Sequence, residues 1–202
     1  NDGSVTKGRI WSFAVGDFLV VDDIESYNDI DPPDPESHTI FEAWSDGFLT
    51  PTTNGALVGN NLPPYTERAN VHGGGQAMPL SYDNNLKFSE ATLTLMAGRD
   101  WTRQGVTELS LWFRGAATNA AERMYVAVSS GAGAPAAVYH ADPNVARTTA
   151  WTEWVIPLQQ FADLGMNLTN VTSITIGFGT RGNATLPGGT GQMYFDDIKL
   201  RR

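Results

Sequence analysis

The sequence contains no cysteine and only three histidines, His38, His72 and His140, among its 202 residues. The lack of cysteine excludes disulfides and thiolate metal sites, and the wide spacing of the histidines excludes a His-Glu-x-x-His zinc motif. A Gly-x-Ser-x-Gly nucleophile turn, a phosphate loop and a Gly-x-Gly-x-x-Gly segment leading from a strand into a helix are also missing. We therefore expect that the protein is not an enzyme, although any acidic domain can place two carboxylates at glycosidase spacing.

Long apolar runs are missing as well, and cationic residues are scarce. Thirteen Lys and Arg stand against 22 Asp and Glu, which gives a formal net charge of −9. Such a surface repels phosphate backbones and anionic lipids, so neither nucleic acid nor membrane insertion is expected. No segment resembles a signal peptide. Because the chain begins at Asn1 rather than Met, we expect it to be a processed or excised piece.

Helical periodicity is nearly absent, whereas short apolar and alternating runs recur between Gly, Pro, Asn and Asp residues. One helical turn is predicted at Leu158–Asp163, and loops are predicted at 28–38, 49–66 and 181–191. Ten strands are predicted at Gly8–Phe13, Phe18–Ile24, Ala77–Tyr82, Glu90–Leu95, Glu108–Arg114, Met124–Ser129, Ala136–His140, Glu153–Pro157, Ser173–Gly179 and Gln192–Leu200. This pattern indicates an all-β fold, a two-sheet antiparallel jelly-roll sandwich over residues 17–202.

Residues 1–16 are predicted to form a separate N-terminal extension. It carries one short apolar strand, Gly8–Phe13, followed by the link Ala14–Asp17. A lone strand is not stable by itself. It therefore has to pair with the sandwich, with an upstream domain or with another subunit.

Five segments carry a resemblance to a known family. They are Val21–Tyr27, Val71–Met78, Leu109–Gly115, Trp151–Leu158 and Tyr194–Leu200. From about Leu19 onward, their order resembles that of bacterial extracellular carbohydrate-binding modules with the galactose-binding-like jelly-roll fold. The resemblance implies a secreted or cell-surface, non-catalytic protein whose partner is a polysaccharide or glycan. The strand Gly8–Phe13 separately resembles the last strand of a fibronectin type III-like repeat, a common upstream neighbour of such modules.

Carboxylates cluster near both ends of the predicted sandwich. Modules of the resembled type often carry a structural calcium ion where the first and last strands meet. The resemblance implies Glu25 and Asp197 as Ca²⁺ ligands, with Asp23 and Asp196 beside them and backbone carbonyls of the loop 72–76 completing the oxygen shell. The alternative is that these residues are solvated strand-end charges, with Asp197 paired with Arg or Lys.

A second acidic stretch, with Asp29, Asp31, Asp34 and Glu36, lacks the order of an EF-hand loop and is interrupted by prolines. An ordinary acidic loop is favoured there.

Exposed aromatic rings beside polar groups are expected at a sugar-binding surface. Alternation along Glu108–Arg114 places Trp112 and Arg114 on the outward face, and alternation along Met124–Ser129 places Tyr125 outward. His140 lies on a nearby predicted strand. These four residues are the predicted ligand-binding set, although Trp112 suits packing as well as it suits a sugar platform.

Two functions of different classes follow from these observations. The first is a carbohydrate-binding module with a structural calcium ion. The alternative is a structural subunit of an extracellular filament, tube or surface layer, in which residues 8–13 of one copy insert into the sheet of the next. Insertion of this head-to-tail kind does not close and would give a homo-polymer.

Overall fold

The computed structural model describes residues 18–131, 133–182 and 185–202, which form two stacked antiparallel sheets. The strands are β1 (Phe18–Asp22), β2 (Trp44–Ser45), β3 (Leu57–Val58), β4 (Met78–Asp83), β5 (Ser89–Thr94), β6 (Glu108–Arg114), β7 (Met124–Ser129), β8 (Ala136–Tyr139), β9 (Thr152–Pro157), β10 (Ser173–Phe178) and β11 (Thr190–Arg201). Two short helices are α1 (Ile40–Ala43) and α2 (Leu158–Asp163), and 3₁₀ turns lie at Arg103–Gly105, Val145–Arg147 and Leu168–Asn170.

In each sheet, most hydrogen-bonded neighbours are strands that are not consecutive in the chain, as in a jelly roll. The six-stranded sheet has the order β3-β4-β11-β6-β9, and β1 pairs with the C-terminal part of β11. The five-stranded sheet has the order β2-β5-β10-β7-β8. The first and last strands are therefore direct neighbours, since Phe18 lies opposite Arg201.

The core lies between the sheets, and strand alternation decides which side chains enter it. On β6, Leu109, Leu111 and Phe113 are buried in the core, whereas Trp112 and Arg114 point to the other side of the sheet. On β7, the side chains of Met124, Val126 and Val128 are buried in the core, because alternate side chains of a strand share one face.

The structure confirms the all-β jelly-roll sandwich and the helical turn at Leu158–Asp163. Nine of the ten predicted strands correspond to β1 and β4–β11; β6 and β7 have the predicted bounds, and the others are shifted by one or two residues. The helix α1 and the strands β2 and β3 were not predicted, because elements of two to four residues carry no periodic signal. A capping box between Thr39 and Glu42 marks the start of α1.

The tenth predicted strand, Gly8–Phe13, and the proposed extension 1–16 lie outside the described residues. Assembly of a homo-polymer through residues 8–13 therefore stays a prediction. Within the described part of the chain, no helix is long and apolar enough to span a membrane.

Candidate functional site

The last strand carries a bulge that turns two consecutive aspartates toward the same loop. Phe195 and Ile198 are both fully buried in the core, with two residues between them where a regular strand has one. The register with β6 shifts between Asp196 and Lys199, and Asp197 has a left-handed φ of 48°. The extra residue of a β-bulge re-aims the side chains beside it. Asp196 and Asp197 consequently both contact the loop 72–76.

This loop donates amide N–H groups to carboxylates from both ends of the chain. The N–H groups of His72 and Gly73 donate to Oδ2 of Asp196 at 2.9 and 3.0 Å. Those of Gly75 and Gln76 donate to Oε1 of Glu25 at 2.9 and 3.0 Å. Loop N–H groups therefore face these carboxylates, and carbonyl ligation of an ion by this loop stays a prediction. We call Glu25, the loop 72–76, Asp196 and Asp197 the seam.

The seam has an excess of negative charge. Lys199 Nζ lies 2.7 Å from Oδ1 of Asp197, and Nδ1 of His72 lies 2.8 Å from its Oδ2. Burial acts to raise the pKa of Asp197, but the hydrogen bonds from Lys199 and His72 together outweigh burial, and this pKa is lowered. Burial raises the pKa of Asp196 despite its amide donors. The seam thus holds three carboxylates, and the one lysine found there in the described part of the chain pairs with Asp197.

The four predicted calcium ligands have different surroundings. Asp196 accepts a third N–H, from Asp197, at 2.7 Å, and Asp23 Oδ1 accepts the N–H of Glu25 at 3.3 Å. Among the described residues, the two N–H groups that bind the Glu25 side chain both donate to Oε1 and leave Oε2 without a donor. One ligand atom each from His72, Asp196 and Asp197 lie within 4.8 Å of one another. Asp196 and Asp197 converge with His72, and both oxygens of Asp197 have partners, Lys199 and His72.

The acidic stretch 29–36 is a hydrogen-bonded loop. Asp29 accepts the N–H of Tyr65 at 2.8 Å and pairs with Arg68. The hydroxyl of Tyr65 donates to Asp31, and Asp34 accepts the N–H of Glu36 at 2.9 Å. These oxygens already have protein donors, which agrees with the interpretation as an ordinary loop.

Trp112 points outward from the six-stranded sheet as predicted, but its ring is not an open platform. The imidazole of His72 stacks on it, with ring centroids 3.7 Å apart and an interplanar angle of 13°. Trp151 approaches the same imidazole edge-on at 5.9 Å. Arg114 is also held, because its Nε donates to the carbonyl of Thr149 at 2.8 Å. Trp112 and Arg114 therefore belong to a packed aromatic cluster next to the seam.

The structure does not bring Tyr125 and His140 to this surface. Tyr125 lies on β7 in the five-stranded sheet and has no exposed surface. His140 follows β8 and packs edge-on against Phe113 at 5.7 Å and Trp154 at 5.0 Å. The prediction of one shared ligand face for these residues with Trp112 was wrong, because alternation shows which side of a strand a residue occupies but not which sheet contains the strand.

The outer side of the five-stranded sheet carries two cross-strand rows of contrasting size. Direct pairing places Glu90, Gly177, Tyr125 and Tyr139 in one row across β5, β10, β7 and β8. The next row consists of Thr92, Thr175, Ala127 and Ala137. The strip along these two rows, which we call the track, is buried in its middle, at Tyr125, Ala127 and Thr175. Its partly exposed members are Glu90, Thr92, Ala137 and Tyr139. We call these two rows, with Arg123 and Arg181, the tyrosine face.

On the tyrosine face, charged side chains contact the two tyrosines. The hydroxyl of Tyr125 donates to Oε1 of Glu90 at 2.6 Å, and Arg181 Nε lies 3.0 Å from the same oxygen. The backbone N–H of Arg181 donates to the hydroxyl of Tyr139 at 3.0 Å. The guanidinium of Arg123 lies 4.2 Å from the centre of the Tyr139 ring, and the two tyrosine rings are 5.0 Å apart. Burial, together with Glu90, raises the pKa of Tyr125.

No family model and no curated protein sequence matches the chain. Solved structures do match it. A family 11 carbohydrate-binding module from Clostridium thermocellum, in complex with a β-1,3-1,4-mixed-linked tetrasaccharide, has a TM-score of 0.55 at 18% identity, over 94% of this chain and 97% of that chain. The fold is that of a carbohydrate-binding-module jelly roll.

Two further structures share this jelly roll. A family 30 carbohydrate-binding module of a cellulosomal cellulase of Clostridium thermocellum has a TM-score of 0.52 at 16% identity, over 67% of this chain and 79% of that chain. An exo-β-agarase has a TM-score of 0.56 at 11% identity, over 92% of this chain and 25% of that chain. The exo-β-agarase is about four times as long as the matched region, so the fold occurs there as one part of a larger chain.

Within this jelly roll, sequence reasoning missed Glu90, Arg123, Tyr139 and Arg181. The signal available in the sequence was a tyrosine two residues from an alanine, on the same face of one strand, which occurs at Tyr125 and again at Tyr139. Arg123 and Arg181 lie in connections, where periodicity gives no direction. Their convergence depends on the pairing of β7 with β8 and β10, which the sequence alone does not state.

Proposed function

We propose that the chain is a non-catalytic, extracellular carbohydrate-binding module that binds a glycan along the tyrosine face. The observation that carries this proposal is the alignment of Glu90, Gly177, Tyr125 and Tyr139 across four strands, beside a row of small side chains. The partly exposed ring of Tyr139 offers an apolar surface to the C–H face of a sugar. Arg123, Arg181 and Glu90 supply donors and acceptors for hydroxyl groups.

Preorganisation favours this face over the aromatic cluster around Trp112. Tyr125 has no exposed surface, and its role in the proposal is to hold Glu90 in place from below. The ion pair of Glu90 with Arg181 fixes both side chains before a ligand arrives. Fixed side chains lose little conformational entropy on binding. Both candidate rings have a neighbour on one face: His72 stacks on Trp112, and the guanidinium of Arg123 lies over Tyr139.

We further propose that a Ca²⁺ ion stabilises the seam, with Glu25 and Asp197 as its carboxylate ligands. Support comes from the concentration of three carboxylates against one lysine and from the free Oε2 of Glu25. When bound, the ion would neutralise these charges and hold the loop 72–76 between the chain ends. Asp196 binds the same loop through amide N–H groups with or without a cation.

The experiment that tests the proposed function is a glycan array followed by calorimetric titration of the oligosaccharides that bind. Tyr139→Ala is expected to lower the affinity at least tenfold, because it removes the ring on which a sugar would stack. Trp112→Ala is the matched control on the opposite sheet and is expected to leave the affinity within twofold. A loss of affinity in Trp112→Ala with none in Tyr139→Ala would move the site to the other sheet. Absence of any binding glycan would refute the function.

A further inference from the structure

A small polar pocket lies where the tyrosine face meets the loops at one end of the sandwich. Its volume is about 160 Å³, and its lining includes Asn84, Lys87, Glu122, Arg123 and Gly179. Arg123 belongs to both surfaces, since its guanidinium also lies over the ring of Tyr139. The pocket therefore shares Arg123 with the tyrosine face.

Asn84 presents a buried amide without a partner in this pocket. The residue is only 3% exposed, and neither Nδ2 nor Oδ1 makes a hydrogen bond with any residue that the structure describes. Its backbone is fixed, because its N–H donates to the carbonyl of Gly189 at 3.0 Å. A Cβ at Gly179 would lie 2.8 Å from Nδ2 of Asn84, so a glycine there is needed for the amide to fit.

An unpartnered buried amide is destabilising, because it has lost its hydrogen bonds to water without gaining others. Buried side-chain amides elsewhere in the described chain are satisfied: Asn119 donates to the carbonyls of Ala146 and Gln192, both at 2.8 Å, and accepts the N–H of Gln192 at 3.1 Å. The contrast between two buried asparagines indicates that the Asn84 amide is kept for an external partner.

The chemistry of the lining selects the class of that partner. An amide offers one donor group and one acceptor side by side, which matches two adjacent hydroxyls, each able to donate and accept. The Glu122 carboxylate, held by the N–H of Gly189 at 2.6 Å, disfavours phosphates and carboxylates. Lys87 is paired with Asp83 at 2.9 Å. The other cation of the described lining, Arg123, is matched in charge by Glu122, so the lining has no excess positive charge for an anion. The pocket thus suits a neutral polyol.

We propose that this pocket binds one sugar ring of the glycan, with Asn84 hydrogen-bonding two adjacent hydroxyls and Glu122 accepting from a third. This inference rests on the proposed function and specifies it: the glycan has a residue with vicinal free hydroxyls at the end of the track nearest Arg123. Oligosaccharides in which those hydroxyls are methylated are excluded from the pocket.

The test is titration of a binding oligosaccharide from the array into wild type, Asn84→Leu and Asn85→Leu. Leucine has nearly the shape of asparagine without its polar atoms, so Asn84→Leu is expected to lower the affinity at least tenfold while the protein stays folded by circular dichroism. Asn85 is the exposed neighbour, and its leucine variant is expected to bind within twofold of wild type.

Glu122→Gln provides a second variant should Asn84→Leu fail to fold, and a fivefold or greater loss is expected because an acceptor oxygen becomes a donor. Wild-type binding that persists within twofold in Asn84→Leu, or in Glu122→Gln if only that variant folds, would overturn this inference and leave the proposed function intact. If wild type binds no glycan, the proposed function itself fails. Equal affinity for a ligand with methylated vicinal hydroxyls would also overturn the pocket assignment.

Discussion

Replacing the two buried asparagines by leucine gives opposite expectations for stability. In Asn119→Leu, three hydrogen bonds are lost, and the carbonyls of Ala146 and Gln192 and one N–H lose their partner. Unsatisfied groups of this kind cost about 1–3 kcal/mol each, so a total of about 3 kcal/mol is expected after partial relaxation. In Asn84→Leu, no side-chain hydrogen bond to a described residue is lost, and an unpaired amide is replaced by hydrocarbon.

The expected result is a clear separation of melting temperatures. For a chain of this size, 1 kcal/mol corresponds to roughly 2–4 °C, so Asn119→Leu is expected to melt about 6–12 °C below wild type. Asn84→Leu is expected to melt within about 3 °C of wild type or above it. Differential scanning calorimetry without glycan measures both, and urea unfolding checks that the slope of the transition is unchanged.

Asn119→Leu serves as the control for Asn84→Leu, because the two substitutions are chemically the same. Both remove one amide from a residue that is 5% exposed or less and insert the same side chain. A drop in melting temperature for Asn84→Leu as large as for Asn119→Leu would refute the reasoning, because it would show that the Asn84 amide is satisfied in solution.

Three further expectations follow from other contacts. Removal of Ca²⁺ with a chelator is expected to lower the melting temperature of the wild type by about 5–10 °C and that of Glu25→Gln by less than about 2 °C. An unchanged melting temperature of the wild type would eliminate the calcium proposal. Asp22→Asn is expected to lower the free energy of unfolding, measured with urea, by about 2 kcal/mol or more. The reason is that the buried carboxylate accepts from the Tyr27 hydroxyl at 2.6 Å and from Trp44 Nε1 at 2.8 Å. An unchanged urea midpoint would contradict this expectation. Gly177→Ala is expected to weaken both stability and glycan affinity, since a Cβ there overlaps the Tyr125 ring; wild-type behaviour would mean that the ring does not lie against the strand.

Much of the fold could be predicted because alternate side chains of a strand face the core. Alternation at Leu109, Leu111 and Phe113 identifies a core face without knowledge of any neighbour. The helical turn at Leu158–Asp163 follows a proline and was placed at its observed bounds. Residues far apart in sequence were harder to relate. The contact of the first strand with the last came from the resemblance and not from the residues, and β1 does pair with β11.

The candidate site could be predicted only in part, because its geometry depends on tertiary contacts. Alternation correctly turned Trp112 outward, but nothing local indicates that His72, forty residues earlier, covers its ring. The carbonyl ligands expected from the loop 72–76 stay a prediction, because the loop contacts described are amide N–H groups that donate to Glu25 and Asp196. N–H groups of that loop point to Asp196, which a bulge in the last strand brings next to the loop.

The bulge at Asp196 and Asp197 links the seam to the fold more closely than a calcium site alone would. Without the extra residue, Asp197 would point into the sandwich, where an unpaired carboxylate would cost several kcal/mol. With it, one aspartate fixes the loop by accepting amide N–H groups, and the next faces Lys199 and His72. His72 in turn lies on Trp112, in the sheet opposite the tyrosine face. The aromatic surface around Trp112 therefore packs against the seam, and the glycan site that we propose lies on the other sheet, whose outer rows combine tyrosines with small residues.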